Sequence, residues 1–158
     1  MKTFRDYLIE ETTRGTYSSL RLSERSQHKL YTWLEKNDIP HSLEAKEYHC
    51  TVVYSRKAVP ELSNKDVDTP IAASASGWKI LGKDECLVIL LDSAKIEDLF
   101  DVATKLGAES DYDEYMPHLT VSANFTGKLP KDLPPFKLIF DEYVVEELDT
   151  EFSYSAGD

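Results

Sequence analysis

The 158-residue chain is short of cysteine, of long apolar runs and of cations. Its two cysteines, Cys50 and Cys86, cannot build a disulfide framework or a four-cysteine zinc site, so a reducing compartment is expected. The longest apolar run, Leu87 to Leu91, falls far short of the roughly 20 residues that span a bilayer. Met1 to Asp6 contains no apolar h-region, so no secretory signal and a cytoplasmic location are expected. Lys and Arg number 18 against 29 Asp and Glu, a net charge of −11. That balance disfavours a long nucleic acid, whose binding rests on many phosphate contacts, but not a small anion in a locally positive pocket. No Gly-x-x-x-x-Gly-Lys loop, dinucleotide fingerprint or Gly-x-Ser-x-Gly elbow is present. Also missing are His-x-His, His-Glu-x-x-His and Cys-x-x-Cys, which removes the usual metal-ligand spacings; no metal and no cofactor are expected.

What is present is enough apolar material, 41% of residues with 11% aromatic, for a real core. No linker divides the chain, so residues 1–158 are expected to form one domain. Ser23 caps a helix running to about Asn37, with Leu30, Trp33 and Leu34 on one face. Ser93 caps a second, in which Ile96, Leu99, Phe100, Ala103 and Leu106 recur at helical spacing before Gly107. Phe4 to Glu11 is a third candidate helix. Strand patterns cover Tyr17 to Leu22, Tyr48 to Tyr54, Ile71 to Leu81, Glu85 to Leu91, His118 to Ala123 and Phe136 to Leu148. Gly82-Lys83-Asp84 reads as a hairpin turn. The order predicts an α+β fold with two similar halves, each pairing one good helix with strands.

Two segments carry chemistry. Tyr48-His49-Cys50-Thr51-Val52-Val53-Tyr54-Ser55 and Pro117-His118-Leu119-Thr120-Val121-Ser122 each open a strand with His-x-Thr. Side chains at i and i+2 of a strand share a face, so each motif presents an imidazole beside a hydroxyl while Cys50 or Leu119 turns inward. Histidine titrates near neutrality and serves as either general acid or general base. Two of them flanking one phosphorus supply both roles at a phosphodiester, and two threonine hydroxyls can hold its non-bridging oxygens. A lone His-x-Thr is weak, because a buried histidine with a satisfied hydrogen bond is the common case. Two copies, each followed by Val and then Ser within four residues, are a different matter. His28 and His41 lack such context and are expected at the surface.

Paired His-x-Thr motifs in two α+β halves resemble the 2H phosphoesterase superfamily. The Gly15-Thr16-Tyr17-Ser18-Ser19 strand, both motif blocks, and Val144-Val145-Glu146-Glu147-Leu148-Asp149 are similar to the phage anti-CBASS nucleases within it. The resemblance implies a bilobal fold of two pseudo-symmetric antiparallel-sheet lobes with outer helices and a central cleft. It implies metal-independent cleavage of 3′–5′ linkages in cyclic di- and trinucleotide signals of bacterial antiphage defence. His49, Thr51, His118 and Thr120 would be catalytic, and the product a linear nucleotide with a 3′-phosphate. The site would act in the infected bacterial host cell.

The same resemblance puts Tyr17 where a tyrosine stacks on a base and Glu146 where a carboxylate meets an adenine amino group. Tyr17 reads equally as an ordinary strand tyrosine, and Glu147 competes with Glu146 because a one-residue slip flips the face. Trp78 and Phe152 are further stacking candidates, and Tyr112 or Tyr115 could reach in from the acidic loop Gly107 to Met116, which reads otherwise as a solvated loop. Lys79, Lys83 and Lys105 are candidate sources of positive potential. The expected partner is a cyclic di- or trinucleotide containing adenine, with no long nucleic acid and no membrane. Two rival functions remain: a 2H phosphodiesterase acting on RNA ends or linear 2′–5′ oligonucleotides, and a protein that sequesters a cyclic nucleotide without cleaving it.

Overall fold

A computed structural model describes residues 14–64, 67–110 and 114–149. The chain runs β1 (Arg14–Leu22), α1 (Glu24–Lys36), a 3₁₀ turn (Ala45–Glu47), β2 (His49–Ser55), β3 (Ile71–Leu81), β4 (Cys86–Asp92), α2 (Ala94–Lys105), β5 (His118–Ser122) and β6 (Leu138–Asp149). This is the α+β order expected, with boundaries shifted by three residues or fewer. The candidate helix at Phe4 to Glu11 lies outside the described residues.

The strands form one antiparallel sheet in the order β2-β1-β6-β3-β4-β5. β3 is the joint. Its first three residues, Ile71 to Ala73, pair with β6, and from Ser74 to Leu81 it pairs with β4. The sheet is thus a four-stranded part, β2-β1-β6-β3, and a three-stranded part, β3-β4-β5, that share β3, with β2 and β5 as the outer strands. Those outer strands contact each other, so the sheet curls until its two ends meet.

Capping fixes where the helices begin. Ser23 Oγ accepts the Ser26 amide at 3.2 Å, and Ser93 Oγ accepts that of Ile96 at 3.4 Å. The start of α1 is tied to β6 twice: Ser23 N–H donates to the Ile139 carbonyl, and Ser26 Oγ accepts the Ile139 amide. Leu30 and Leu34 are fully buried, as their spacing requires, whereas Trp33 is half-buried on the flank. In α2, Ile96 and Ala103 are buried, but Leu106 has passed the helix end and is 39% exposed. The core between the helices and the sheet includes Leu20, Cys50, Ile89, Leu119, Leu138 and Phe140, all without solvent exposure.

Gly15 marks the tightest approach of β1 to β2. A Cβ there would overlap the Ser55 carbonyl oxygen and crowd Arg56 Cα, both backbone atoms that cannot yield. The hairpin turn expected at Gly82-Lys83-Asp84 joins β3 and β4, with Gly82 at φ 79° and Glu85 at φ 49°.

Candidate active site

Both His-x-Thr motifs open outer strands, and both obey the alternation that a strand imposes. His49, Thr51, His118 and Thr120 are half-buried, while Cys50 and Leu119 between them are fully buried. The two histidines are oriented in the same way. His49 Nδ1 lies 2.8 Å from the Glu47 carbonyl, and His118 Nδ1 lies 2.9 Å from the Met116 carbonyl, each two residues upstream. A carbonyl only accepts, so Nδ1 carries the proton and Nε2 is the basic nitrogen in each neutral ring. For His49, the 3₁₀ turn with its Glu44–Glu47 capping box holds that carbonyl in place.

The strands also share an irregularity. Ser18 pairs with Val53 and Ser19 with Thr51, so Val52 is an extra residue in β2. Leu87 pairs with Ser122 and Val88 with Thr120, so Val121 is an extra residue in β5. Each bulge falls on the valine directly after the motif threonine. Bulges re-aim the side chains that follow. In β2 the bulge buries both Val52 and Val53 and brings Tyr54 onto the face of His49 and Thr51. Tyr54 was not anticipated from sequence; the broken alternation at Val52-Val53 is the signal that would have found it.

What joins the halves lies behind this face. The Cys50 thiol receives the backbone N–H of His118, and the Tyr115 hydroxyl sits 3.8 Å from its Sγ. Tyr115 also donates to the Thr51 carbonyl at 2.8 Å, while its ring stacks on Phe100 of α2 with centroids 4.3 Å apart. Thus the residue between His49 and Thr51 touches the backbone of His118. Burial raises the Cys50 thiol to about 11, with the Tyr115 and His118 hydrogen bonds opposing it, and burial also raises the Tyr115 phenol. Neither group is ionised at neutral pH. Tyr115 is therefore a prop behind the site rather than a residue reaching into it from the acidic loop.

Register places the remaining residues. Tyr54, Tyr17 and Glu146 lie directly opposite one another across β2, β1 and β6, and so share a face. That resolves the competition between the two glutamates: Glu146 is on the Tyr17 face, and Glu147, opposite Thr16, is on the other. The Tyr17 hydroxyl is 3.0 Å from Thr51 Oγ1, and its ring meets Tyr54 edge-on at 6.4 Å. Arg21 stands opposite His49 on the same face, with its Nε 3.6 Å from Glu142.

Trp78 is a correction. It pairs with Ile89, which pairs with Leu119, so it points to the face opposite His118 and Thr120. There it stacks on Trp33 with centroids 6.3 Å apart, and its Nε1 donates to the Asp132 carbonyl at 2.9 Å. It braces α1 and is not brought to the histidines. Tyr112 and Phe152 lie outside the described residues. His28 is exposed as expected, but His41 is not a free surface residue: its ring packs edge-on against Tyr31 at 4.2 Å and its Nδ1 is buried. A cavity of about 380 Å³ lined by Leu62, Ile71, Leu99 and Tyr143 is behind the sheet. Tyr143 pairs with Leu20, away from the histidine face, so that cavity is not the candidate site. Among the described residues, no group of three His, Cys, Asp or Glu side chains is placed to hold a metal ion, and no helix is long and apolar enough to cross a membrane.

Residues 14–155 match the family model described as anti-CBASS protein Acb1. The chain belongs to the Acb1 anti-CBASS family. It is 25% identical over 147 residues to the anti-CBASS protein Acb1 of Yersinia phage phiR1-RT, covering 92% of this chain and 95% of that one. With the Acb1 protein of Enterobacteria phage T4 it shares 29% identity over 125 residues, 78% of each chain. In fold, this Acb1-family chain matches E. coli LigT complexed with 3′-AMP at a TM-score of 0.61 and 12% identity, covering 84% of this chain and 86% of the other. A structure described as a phosphoesterase matches at a TM-score of 0.58 with the same identity and coverage. The fold is that of the 2H phosphoesterases.

Proposed function

We propose that this Acb1-family chain is a phosphodiesterase that opens the 3′–5′ linkages of cyclic di- and trinucleotide signals inside an infected bacterial cell, countering CBASS defence. The observation that carries this reading is the matched pair of histidines. Each has Nδ1 bound to a carbonyl two residues upstream, and the two strands touch through Cys50. A neutral imidazole held this way acts as base through Nε2, and a protonated one as acid through Nε2–H.

In the first step one histidine takes the proton of a ribose 2′-hydroxyl, whose oxygen attacks the adjacent phosphorus. The bond to the 5′-oxygen breaks, and that oxygen leaves with the proton from the other histidine. A 2′,3′-cyclic phosphate results. In the second step the latter histidine takes a proton from water, the hydroxide attacks phosphorus, and the former histidine protonates the departing 2′-oxygen. A linear product with a 3′-phosphate remains, and both histidines return to their starting states. Thr51 and Thr120 hydroxyls donate to the non-bridging oxygens as charge moves onto them. The Tyr17 and Thr51 hydroxyls are hydrogen-bonded at 3.0 Å; in the orientation in which the phenol donates, the Thr51 proton points at phosphate. In this reading Glu146, exposed and opposite Tyr17 in register, accepts from an adenine amino group, and the Tyr17 ring stacks on a base.

The test is incubation of the purified protein, in EDTA, with an adenine-containing 3′,3′-cyclic dinucleotide and with a short single-stranded RNA. Ring opening to a linear product ending in a 3′-phosphate, with little attack on RNA, is the expected result. Cleavage of RNA alone would move the substrate to RNA ends. Tight binding of the ring without turnover would favour sequestration.

A further inference from the structure

A cyclic dinucleotide carries two phosphates, of which only one lies between the histidines at a time. The other must sit on a protein whose net charge is −11, where a local cation is needed to offset repulsion. We propose that Lys79 holds this second, non-scissile phosphate; the inference rests on the function proposed above.

Register puts the lysine on the right face. Lys79 pairs with Val88, and Val88 with Thr120, so the three form a row across β3, β4 and β5. Directly opposed residues share a face, and two strand spacings of about 4.8 Å separate Lys79 from Thr120 by roughly 10 Å of backbone. The side chain leans back toward the motif. Its Nζ lies 3.8 Å from Met116 Sδ, and the Met116 carbonyl is the group that orients His118. A thioether is a weak acceptor, and an exposed ammonium exchanges it for a phosphate oxygen readily.

The neighbouring row carries a glycine in β3. Gly77 pairs with Leu90, and Leu90 with His118. A Cβ added at Gly77 would meet Leu90 Cδ1 at 3.7 Å, an ordinary contact, so no bulky side chain of β3 stands on this row beside Lys79. Arg21, the cation opposite His49 in the other half, already faces Glu142 and is the weaker candidate.

The experiment compares two substrates of wild type, Lys79→Gln and Lys79→Arg: 3′,3′-cyclic diadenylate, with two phosphates, and the dinucleoside monophosphate ApA, with one. For Lys79→Gln the KM for the ring is expected to rise about tenfold, as for loss of one charge-assisted hydrogen bond, with a much smaller rise for ApA. Its kcat should stay within about twofold, its kcat/KM should lose part of its salt dependence, and Lys79→Arg should recover most of the loss. Equal rises on both substrates, or none on either, would overturn the assignment. Calorimetric binding of the cyclic nucleotide to the same variants separates this from the parent reading. Weaker binding in Lys79→Gln with no turnover by wild type would sustain the phosphate contact and refute the phosphodiesterase, while turnover indifferent to Lys79 would do the reverse.

Discussion

The strand that carries His49 and the strand that carries His118 repeat one another down to the backbone. Each is an outer strand, each opens on His-x-Thr, each histidine binds the carbonyl two residues upstream, and each strand bulges at the valine after the threonine. Their surroundings do not repeat. Between histidine and threonine one strand has Cys50, the other Leu119; Thr51 shares a hydrogen bond with the Tyr17 hydroxyl; Arg21 and Glu142 flank His49, whereas Lys79 lies in the row of Thr120. The repeated features are local in sequence and orient the reacting groups. Cys50 and Leu119 aside, those that differ come from neighbouring strands.

The comparison breaks first if one histidine proves dispensable. His49→Ala and His118→Ala are each expected to lower kcat by about 10²–10⁴-fold, with far-ultraviolet circular dichroism unchanged. A loss confined to one variant would mean that the two halves do not share the chemistry.

A second contrast lies at Cys50 and Leu119. The fold holds the Cys50 thiol protonated, raised by burial from 9.0 to about 11, and burial followed by Tyr31 raises Tyr48 from 10.0 to about 12. Cys50 favours the folded state fully below pH 9 and loses that contribution as pH climbs through 11. Tyr48 does so fully below pH 10 and loses it as pH climbs through 12. Urea midpoints should therefore fall across that window, and fall less in Cys50→Val. Midpoints flat to pH 12 would show that neither group is held in its protonated form.

Smaller still is the effect of Tyr17→Phe, which keeps the ring and removes the hydrogen bond to Thr51. A roughly 3- to 10-fold lower kcat is expected from one lost hydrogen bond, with KM little changed. Tyr17→Ala should raise KM as well, since base stacking contributes on the order of 1–3 kcal/mol. If Tyr17→Phe matches wild type, the phenol does not position Thr51. Trp78→Phe should cost about 1 kcal/mol of stability through the lost bond to the Asp132 carbonyl and leave KM alone; a raised KM would return Trp78 to the site.

Sequence reasoning reached the element order because its signals are local: serine caps at Ser23 and Ser93, alternation through Ile71–Leu81, and the glycine turn at Gly82. It reached the two motifs for the same reason, since i and i+2 in a strand need no tertiary knowledge. Register was out of its reach. Whether Glu146 or Glu147 faces Tyr17, whether Trp78 or Lys79 shares the face of His118, and how Tyr115 spans from α2 to Thr51 depend on which residues stand opposite across strands far apart in sequence. Trp78 and Lys79 are adjacent in sequence and point to opposite faces, so a guess at one residue's face decided the other. The bulges added a further shift, carrying Tyr54 to the face that strict alternation assigns to Val53.

The most direct test of a single site built from both motifs is the pH dependence of kcat/KM for a cyclic dinucleotide in wild type and in the two single-histidine variants. One histidine must enter the reaction neutral and the other protonated, so the wild-type profile should be bell-shaped, and each variant should lose a different limb. A wild-type profile with one limb, or variants that lose the same limb, would contradict the account.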